Sequence, residues 1–152
     1  MQGVRLIPLR YLADARGWFL EARRESWGPA TPTVQTNVSF SRKGVIRGLH
    51  YHERGQDDLF ICLSGMARAV VLDRESGEVF SIDIGEENPV AVYIPGHYAH
   101  GFEALTDVLF CYHVTSEYDP ASPDEHDVAW DDPRVKHLWS TKSPILSRRD
   151  AS

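Results

Sequence analysis

The sequence predicts an all-β fold in which short antiparallel strands form a sandwich or a barrel. Short runs rich in Val, Ile, Phe and Tyr recur along the chain, and Gly, Pro, Asp and Ser residues separate them. Amphipathic helical periodicity is weak everywhere except around Pro133 to Trp139, so we expect little helix. Evenly spaced apolar runs of strand length are typical of all-β domains.

Eight runs carry the strand prediction. In chain order they are TVQTNVSFS, VIRGLHYH, DLFICLSG, ARAVVLDR, VFSIDIG, AVYIP, HGFEAL and VLFCYHVTSEY. The segment DRESGEVF predicts a β-hairpin, in which Gly77 supplies the positive φ that such turns need. The last stretch, STKSPILSRRDAS, is polar with one apolar pair, and composition alone predicts a frayed tail there.

Length and composition limit the class of protein. At 152 residues the chain is long enough for one domain with a substantial core, so we predict a single domain over residues 1–152. No apolar run reaches the roughly 18 residues that would span a bilayer, and we expect no membrane partner. The formal net charge of −6 and the lack of a basic stripe argue against nucleic acid as a partner.

The N-terminal stretch and the cysteines indicate the compartment. The stretch MQGVRLIPLRYLADARG has neither an apolar h-region nor a small-residue cleavage site, so we expect a cytoplasmic protein. Cys62 and Cys111 lie in apolar runs, where free cysteines behave as small buried hydrophobic residues. We therefore expect reduced thiols rather than a disulfide.

Histidines and acidic residues form the most informative pattern. His50 and His52 alternate on one predicted strand, so their side chains point to the same face. Three interpretations are open at this point: the pair binds a metal, one histidine removes a proton from a substrate, or both are structural. The spacing resembles the two-motif signature of the cupin superfamily, a small jelly-roll barrel, through Gly44, His50, His52, the acidic pair Asp57 and Asp58, Gly65, Pro95, Gly96 and His100. In metal-binding cupins the matching histidines and carboxylate hold one divalent ion, and these ligand types suit iron, manganese, nickel or zinc.

A second resemblance covers most of the chain. The segments ARGWFLE, QTNVSFSRKGVIRGLHYH, YIPGHYAHGF, LFCYHVTSEYDPASPDEHDVAWDDP and ILSRRD occur in order between residues 15 and 150. They are similar to segments of the dTDP-4-dehydrorhamnose 3,5-epimerase family, whose members are sugar-nucleotide epimerase cupins. The resemblance implies a homodimeric enzyme without metal or other cofactor. The reaction it implies is epimerisation of a nucleotide-diphospho-4-keto-6-deoxyhexose at C3, C5 or both, through an enolate.

The same resemblance assigns catalytic roles. His50 matches the base that removes the substrate proton, and imidazole titrates near neutral pH. Asp150 matches the carboxylate that bonds the other ring nitrogen of this histidine and fixes its tautomer. Tyr112 matches the tyrosine that returns a proton to the opposite face of the enolate. These assignments imply that the C-terminal stretch folds back into the site.

Seven further positions match family residues that bind the substrate. Those matching nucleotide and diphosphate contacts are Arg16, Phe19, Glu21, Gln35, Asn37 and Arg47, and His100 matches a histidine near the sugar. Guanidinium groups suit such contacts because they bond phosphate oxygens in pairs. In this family the N-terminal strands often cross to a partner subunit, and on this basis we expect a homodimer.

Two departures from the family keep other functions open. Asp58 stands where the family has a lysine that polarises the C4 ketone, and His52 stands where the family has a glutamine. A sugar-nucleotide 3,4-ketoisomerase is one alternative, since these cupins carry His-x-His on this strand. A metal-dependent cupin enzyme using His50, His52, Asp58 and His100 is a second. A sugar-nucleotide-binding relative without activity is a third.

Overall fold

The structure is a computed structural model that describes residues 1–27 and 32–152. Its described part holds twelve strands: β1 (Arg5–Pro8), β2 (Tyr11–Asp14), β3 (Gly17–Leu20), β4 (Gln35–Ser41), β5 (Ile46–Tyr51), β6 (Asp58–Ser64), β7 (Met66–Leu72), β8 (Val79–Gly85), β9 (Val90–Ile94), β10 (Ala99–Ala104), β11 (Val108–Val114) and β12 (His126–Asp127). Helical structure in the same residues consists of 3₁₀ turns at Glu25–Trp27 and Lys136–Leu138 and the single-turn helix α1 (Arg148–Ala151). The all-β prediction is therefore confirmed.

Two five-stranded antiparallel sheets form the body of the protein. The first sheet has the strand order β1-β9-β6-β11-β4, and the second has the order β12-β5-β10-β7-β8. β2 and β3 form a separate hairpin that pairs only with itself in the described chain. The eight predicted runs coincide with β4 to β11, which confirms the expected jelly-roll arrangement. The remaining strands have four residues or fewer, too few for a periodic pattern to identify them.

The apolar core lies between the two sheets. Its aromatic centre combines Phe60 and Phe110 from the first sheet with Phe102 from the second. The rings of Phe102 and Phe110 stack with their centroids 3.8 Å apart. Since Phe60 and Phe102 also line the main cavity, the core forms one boundary of that cavity.

The predicted hairpin is present between β7 and β8. Gly77 has a φ of +78°, as its place in the turn requires. Its N–H donates to the carbonyl of Asp73 at 2.9 Å, and the Asp73 carboxylate accepts from the Ser76 hydroxyl at 2.8 Å. The turn is thus held by local bonds as well as by strand pairing.

The C-terminal stretch is tied to the barrel, so the frayed tail predicted from composition is wrong. Ile145 forms a parallel bridge with Val45, and its N–H donates to the carbonyl of Gly44 at 2.9 Å. Earlier in the stretch, the buried carboxylate of Glu103 accepts hydrogen bonds from the backbone N–H of Ser140 at 2.7 Å and of Thr141 at 3.1 Å. These anchors lead the chain to α1 at the edge of the cavity.

Both cysteines are buried and unpaired, which agrees with the expected reduced thiols. Within residues 1–27 and 32–152, no helix has the length and apolar character needed to cross a membrane.

Candidate active site

A cavity of about 670 Å³ opens between the two sheets, within the range of small-molecule binding sites. Both sheets and the C-terminal stretch contribute to its lining. Seven of the ten predicted site residues lie there: Gln35, Asn37, Arg47, His50, His100, Tyr112 and Asp150. Residues far apart in the sequence are thus brought into one polar cavity.

The first sheet forms one wall of the cavity, and its strand register determines which side chains lie next to one another there. Asn37, Tyr112 and Phe60 are direct neighbours across β4, β11 and β6. Two residues further along the same three strands, Val114 has Gln35 on one side and Asp58 on the other. Side chains two residues apart on a strand share a face, so both rows point into the cavity.

The second sheet supplies the opposite wall. His50 on β5 lies directly opposite His100 on β10 and opposite Asp127 on β12. Glycines permit the close approach of β5 and β10, because a Cβ on Gly48 would lie only 2.8 Å from the Cα of Gly101. Gly48 also has a φ of +131°, which favours glycine.

His50 and Asp150 form a hydrogen-bonded dyad. The Nε2 of His50 lies 2.9 Å from Oδ1 of Asp150, whose Oδ2 accepts from the backbone N–H of Gly48 at 3.2 Å. Burial acts to raise the pKa of Asp150, but these two hydrogen bonds, together with electrostatic attraction to His50 and Arg149, hold the pKa below its ordinary value. An ionised carboxylate only accepts hydrogen bonds, so in neutral His50 the proton lies on Nε2 and the lone pair lies on Nδ1.

A second carboxylate approaches His50. Oδ1 of Asp127 lies 3.6 Å from the Nε2 of His50 and accepts a hydrogen bond from Arg149 at 2.6 Å. Arg149 also bonds the carboxylate of Glu125. Sequence analysis missed these three residues, because the two-residue strand β12 that places Asp127 beside β5 carries no recognisable pattern.

Tyr112 faces the cavity from the sheet opposite His50. Burial raises the pKa of Tyr112 above its ordinary value, and the nearby charges of Asp58 and Glu125 raise it further. The phenol therefore stays protonated at neutral pH. A proton donor stands across the cavity from the imidazole.

His52, Asp58 and His100 form a separate buried cluster. The Nε2 of His52 lies 3.5 Å from Oδ1 of Asp58, and the Nε2 of His100 lies 3.2 Å from Oδ2. Burial by itself would raise the pKa of Asp58, but the two histidines lower it overall. Burial alone would lower the pKa of His52, but Asp58, the carbonyl of Asp124 and the charge of Glu125 together raise it overall. Of the four residues named above as alternative metal ligands, His52, Asp58 and His100 lie in this cluster. His50 does not belong to it, because it bonds to Asp150 instead.

Asp57, which precedes Asp58 in the acidic pair, has a structural role. Asp57 accepts hydrogen bonds from the Tyr93 hydroxyl and from the backbone N–H of Gly96, the latter at 2.9 Å. It fixes the turn that follows β9. Of the two adjacent acids, Asp58 is the one that lines the cavity.

Predicted substrate-binding residues form a polar patch on the cavity wall. The Gln35 side-chain amide donates to Asn37 at 2.9 Å and accepts from the backbone N–H of Tyr118 at 2.9 Å. Nε of Arg47 donates to the Ser41 hydroxyl at 2.8 Å. The Arg47 guanidinium is anchored on one side and retains further donors for a ligand.

Three predicted residues lie elsewhere. Arg16, Phe19 and Glu21 belong to the exposed β2–β3 hairpin and its flanks, outside the described residues that line the cavity. Arg16 bonds the carboxylate of Asp14, and Phe19 is 62% exposed. The structure does not bring these three residues to the cavity of their own chain.

Comparison with known proteins agrees with this geometry. The family model described as dTDP-4-dehydrorhamnose 3,5-epimerase matches residues 1–152. The chain belongs to this family. The spore coat polysaccharide biosynthesis protein SpsL of Bacillus subtilis is 35% identical to it over 149 residues, covering 93% of this chain and 98% of SpsL.

Solved structures of the epimerase family match the whole barrel. NovW, a 4-keto-6-deoxy sugar epimerase from Streptomyces spheroides, superposes with a TM-score of 0.87 at 33% identity, covering 99% of this chain and 81% of NovW. The epimerase RmlC of Legionella pneumophila, solved in complex with dTDP-4-keto-L-rhamnose, gives a TM-score of 0.87 at 30% identity, with coverages of 99% and 86%. The predicted family, cupin fold and isomerase class are confirmed.

Proposed function

We propose that this epimerase-family protein inverts carbon centres of a nucleotide-diphospho-4-keto-6-deoxyhexose, at C3, C5 or both. The observation that carries the proposal is the placement of His50 and Tyr112 on opposite walls of one cavity. Inversion requires removal of a proton from one face of a planar enolate and its return to the other face. A base and an acid on opposite walls meet that requirement.

His50 acts as the base through Nδ1. The C4 ketone acidifies the protons on C3 and C5, and imidazole has a pKa suited to proton transfer at neutral pH. As Nδ1 takes up the proton, the imidazolium gains a positive charge next to the ionised carboxylate of Asp150, 2.9 Å from Nε2. Asp150 therefore supports proton removal by stabilising the charged ring, and Asp127 adds a second negative charge.

Tyr112 acts as the acid. Its raised pKa keeps the phenol protonated until the enolate forms, and donation from the opposite wall gives the inverted centre. Asn37, its neighbour across the strand pair, lies beside the phenol in the same inward row. The lining combines this polar row with the apolar ring of Phe60, a composition suited to a deoxysugar.

The polar patch formed by Gln35, Asn37 and Arg47 binds the nucleotide end of the substrate together with residues of a partner subunit. Gln35, Asn37 and Arg47 contact the nucleotide or its diphosphate from within the cavity. Arg16, Phe19 and Glu21 extend away from their own cavity and complete that of a partner in a homodimer. Their exposure on a hairpin that pairs only with itself in the described chain supports this assignment.

We infer further that the homodimer is cytoplasmic and has no membrane or nucleic-acid partner. Two observations support this inference: the pair of buried free thiols, which a reducing compartment preserves, and the net negative charge.

Proton exchange tests the function directly. The purified protein is incubated with dTDP-4-keto-6-deoxyglucose in deuterated water, and the signals of C3 and C5 are followed by NMR. We expect deuterium at one or both carbons together with the inverted product. Conversion to a 3-keto sugar instead would identify a 3,4-ketoisomerase, and no exchange at either carbon would contradict the epimerase proposal.

A further inference from the structure

We propose that Arg149 is a positioning residue for the base His50. By holding both carboxylate oxygens of Asp127, Arg149 makes Asp150 the carboxylate that accepts from the His50 ring, and so fixes the direction in which Nδ1 points. The effect on turnover rests on the proposed function. The choice of acceptor concerns only these four side chains and is measurable without substrate.

Two carboxylates lie close to one nitrogen of His50. Its Nε2 is 2.9 Å from Oδ1 of Asp150 and 3.6 Å from Oδ1 of Asp127. Nε2 carries one proton, and a separation of 3.6 Å is too long for a hydrogen bond, so Asp150 accepts it. Asp127 nevertheless stays nearby, because β12 pairs it directly opposite His50 on β5. A small movement of the Asp127 carboxylate would make it a competing acceptor.

Arg149 holds the Asp127 carboxylate away from the ring. Its Nη2 donates to Oδ1 of Asp127 at 2.6 Å, and its Nε donates to Oδ2 at 3.1 Å. The planar guanidinium thus engages both oxygens, including the one that approaches His50. The hydrogen bonds to Asp127, and a further one to Glu125, raise the pKa of the Arg149 guanidinium against the opposing effect of burial. The ion pair therefore persists at every pH at which Asp127 is ionised.

The same short helix carries the acceptor and the residue that holds its competitor. Arg149 and Asp150 are neighbours in α1, a single turn capped by Ser147, whose hydroxyl accepts from the backbone N–H of Asp150 at 3.1 Å. One helical turn is too short to be stable alone, so its place against the barrel depends on side-chain contacts. Asp150 accepts from the N–H of Gly48 on β5, and Arg149 bonds Asp127 on β12. The position of Asp150 and the restraint on Asp127 are therefore linked.

The charges around His50 explain why the base needs this restraint. The ionisable groups that share its surroundings are Asp150 and Arg149 on α1, Asp127 on β12, Glu125 before β12, His100 on β10 and Tyr112 on β11. Arg47, on the strand of His50 itself, bonds Ser41 instead. Without Arg149, two carboxylates would face the imidazole with no guanidinium bonded to either, which favours the charged ring. A ring that already holds a proton on Nδ1 cannot remove one from the substrate.

Arg149→Gln tests the inference in two backgrounds. In the unmodified protein we expect the turnover number to fall about thirtyfold, with KM changed less than about threefold, because Asp127 then competes for the ring and misplaces the base. The acid limb of the pH–rate profile should move up by about one pH unit, since the ring faces an additional uncompensated anion. In the Asp127→Asn background the competitor is absent, so Arg149→Gln should lower the turnover number less than about threefold and leave the profile in place.

Arg148→Gln is the matched control. Arg148 is the exposed neighbour of Arg149 on α1, and its replacement changes the net charge by the same amount. We expect this variant to equal the unmodified protein in turnover number, KM and pH profile.

The ring ¹⁵N signals of His50 report the acceptor without substrate. They are assigned by their absence from His50→Ala. In the presence of Arg149 they should respond to Asp150→Asn far more strongly than to Asp127→Asn. In the Arg149→Gln background they should respond to both changes.

Three results would overturn the inference. An equal cost of Arg149→Gln with and without Asp127 would show that Arg149 only stabilises α1, and a rise in KM with an unchanged turnover number would assign it to substrate binding instead. Ring signals that respond equally to Asp127→Asn and Asp150→Asn in the presence of Arg149 would exclude the choice of acceptor. Absence of proton exchange in every background would contradict the proposed function, and the NMR comparison would still decide which carboxylate accepts.

Discussion

His50 and Tyr112 face one cavity from strands of opposite sheets, His50 from β5 and Tyr112 from β11. Neither strand pairs with the other, so the arrangement depends on how the two sheets pack. The apolar contact between Phe102 and Phe110 holds the sheets together next to the cavity. Base and acid are therefore positioned by the rigid core rather than by loops.

Replacement of His50 by alanine should remove the base. We expect turnover to fall by about a thousandfold, within the range typical of general base catalysis, with an unchanged fold. His126→Gln changes a half-buried histidine on the adjacent strand β12; it is the control and should retain full activity. Steady-state kinetics and circular dichroism provide the measurements. Substantial residual activity in folded His50→Ala would contradict the role of base.

Replacement of Tyr112 by phenylalanine should separate the two half-reactions. His50 can still remove and return a proton on its own face, so deuterium exchange should continue while inversion falls by about a hundredfold. Parallel NMR of exchange and product in deuterated water tests this. Equal loss of both would show that Tyr112 is needed for proton removal as well.

The titration of Tyr112 provides a test that depends on pH. Since burial and the charges of Asp58 and Glu125 raise its pKa, the phenolate should form above the ordinary value of about 10. The difference in ultraviolet absorbance between the unmodified protein and Tyr112→Phe isolates this step. A step below pH 10 would contradict the protonated donor.

Asp150→Asn should lower the turnover number more than it changes KM. The carboxylate accepts from His50 with one oxygen and from the N–H of Gly48 with the other, whereas an amide has a single acceptor oxygen. Either His50 or Gly48 loses its partner, and the imidazolium loses its counter-charge. We expect a decrease of about a hundredfold in the turnover number. Asp131→Asn, on the exposed surface, is the control; equal kinetics in both variants would show that Asp150 does not act on His50 in solution.

The sequence predicted the strands well because each of the eight runs has the apolar and β-branched composition of a buried strand. It could not predict the position of the C-terminal stretch, because the bonds of Glu103 and Ile145 join residues that are distant along the chain. The family resemblance alone indicated that Asp150 reaches His50. The spacing of His50 and His52 indicated a shared face but not that their side chains join two different clusters.

Glu103→Ala should release the C-terminal stretch and thereby affect catalysis from a distance. Glu103 is 1% exposed and accepts bonds from Ser140 and Thr141, so its loss leaves these partly buried donors without their partner. We expect the free energy of unfolding to fall by about 3 kcal/mol. Proteolysis should cut the C-terminal stretch more readily, and the turnover number should fall as Asp150 loses its position. Glu75→Ala, on an exposed turn, should change none of these quantities.

Mixed dimers test whether the N-terminal hairpin completes a partner's cavity. Arg16→Ala and His50→Ala are each expected to be inactive as homodimers if Arg16 serves the site of the other subunit. In a mixed dimer, one site then combines an intact His50 with the intact Arg16 of the partner subunit. Random exchange of equal amounts should restore about a quarter of the sites, because half of the dimers are mixed and each has one intact site. Without subunit exchange the mixture should stay inactive. No recovery after refolding the two variants together would contradict the shared site, and full activity of Arg16→Ala alone would remove Arg16 from substrate binding.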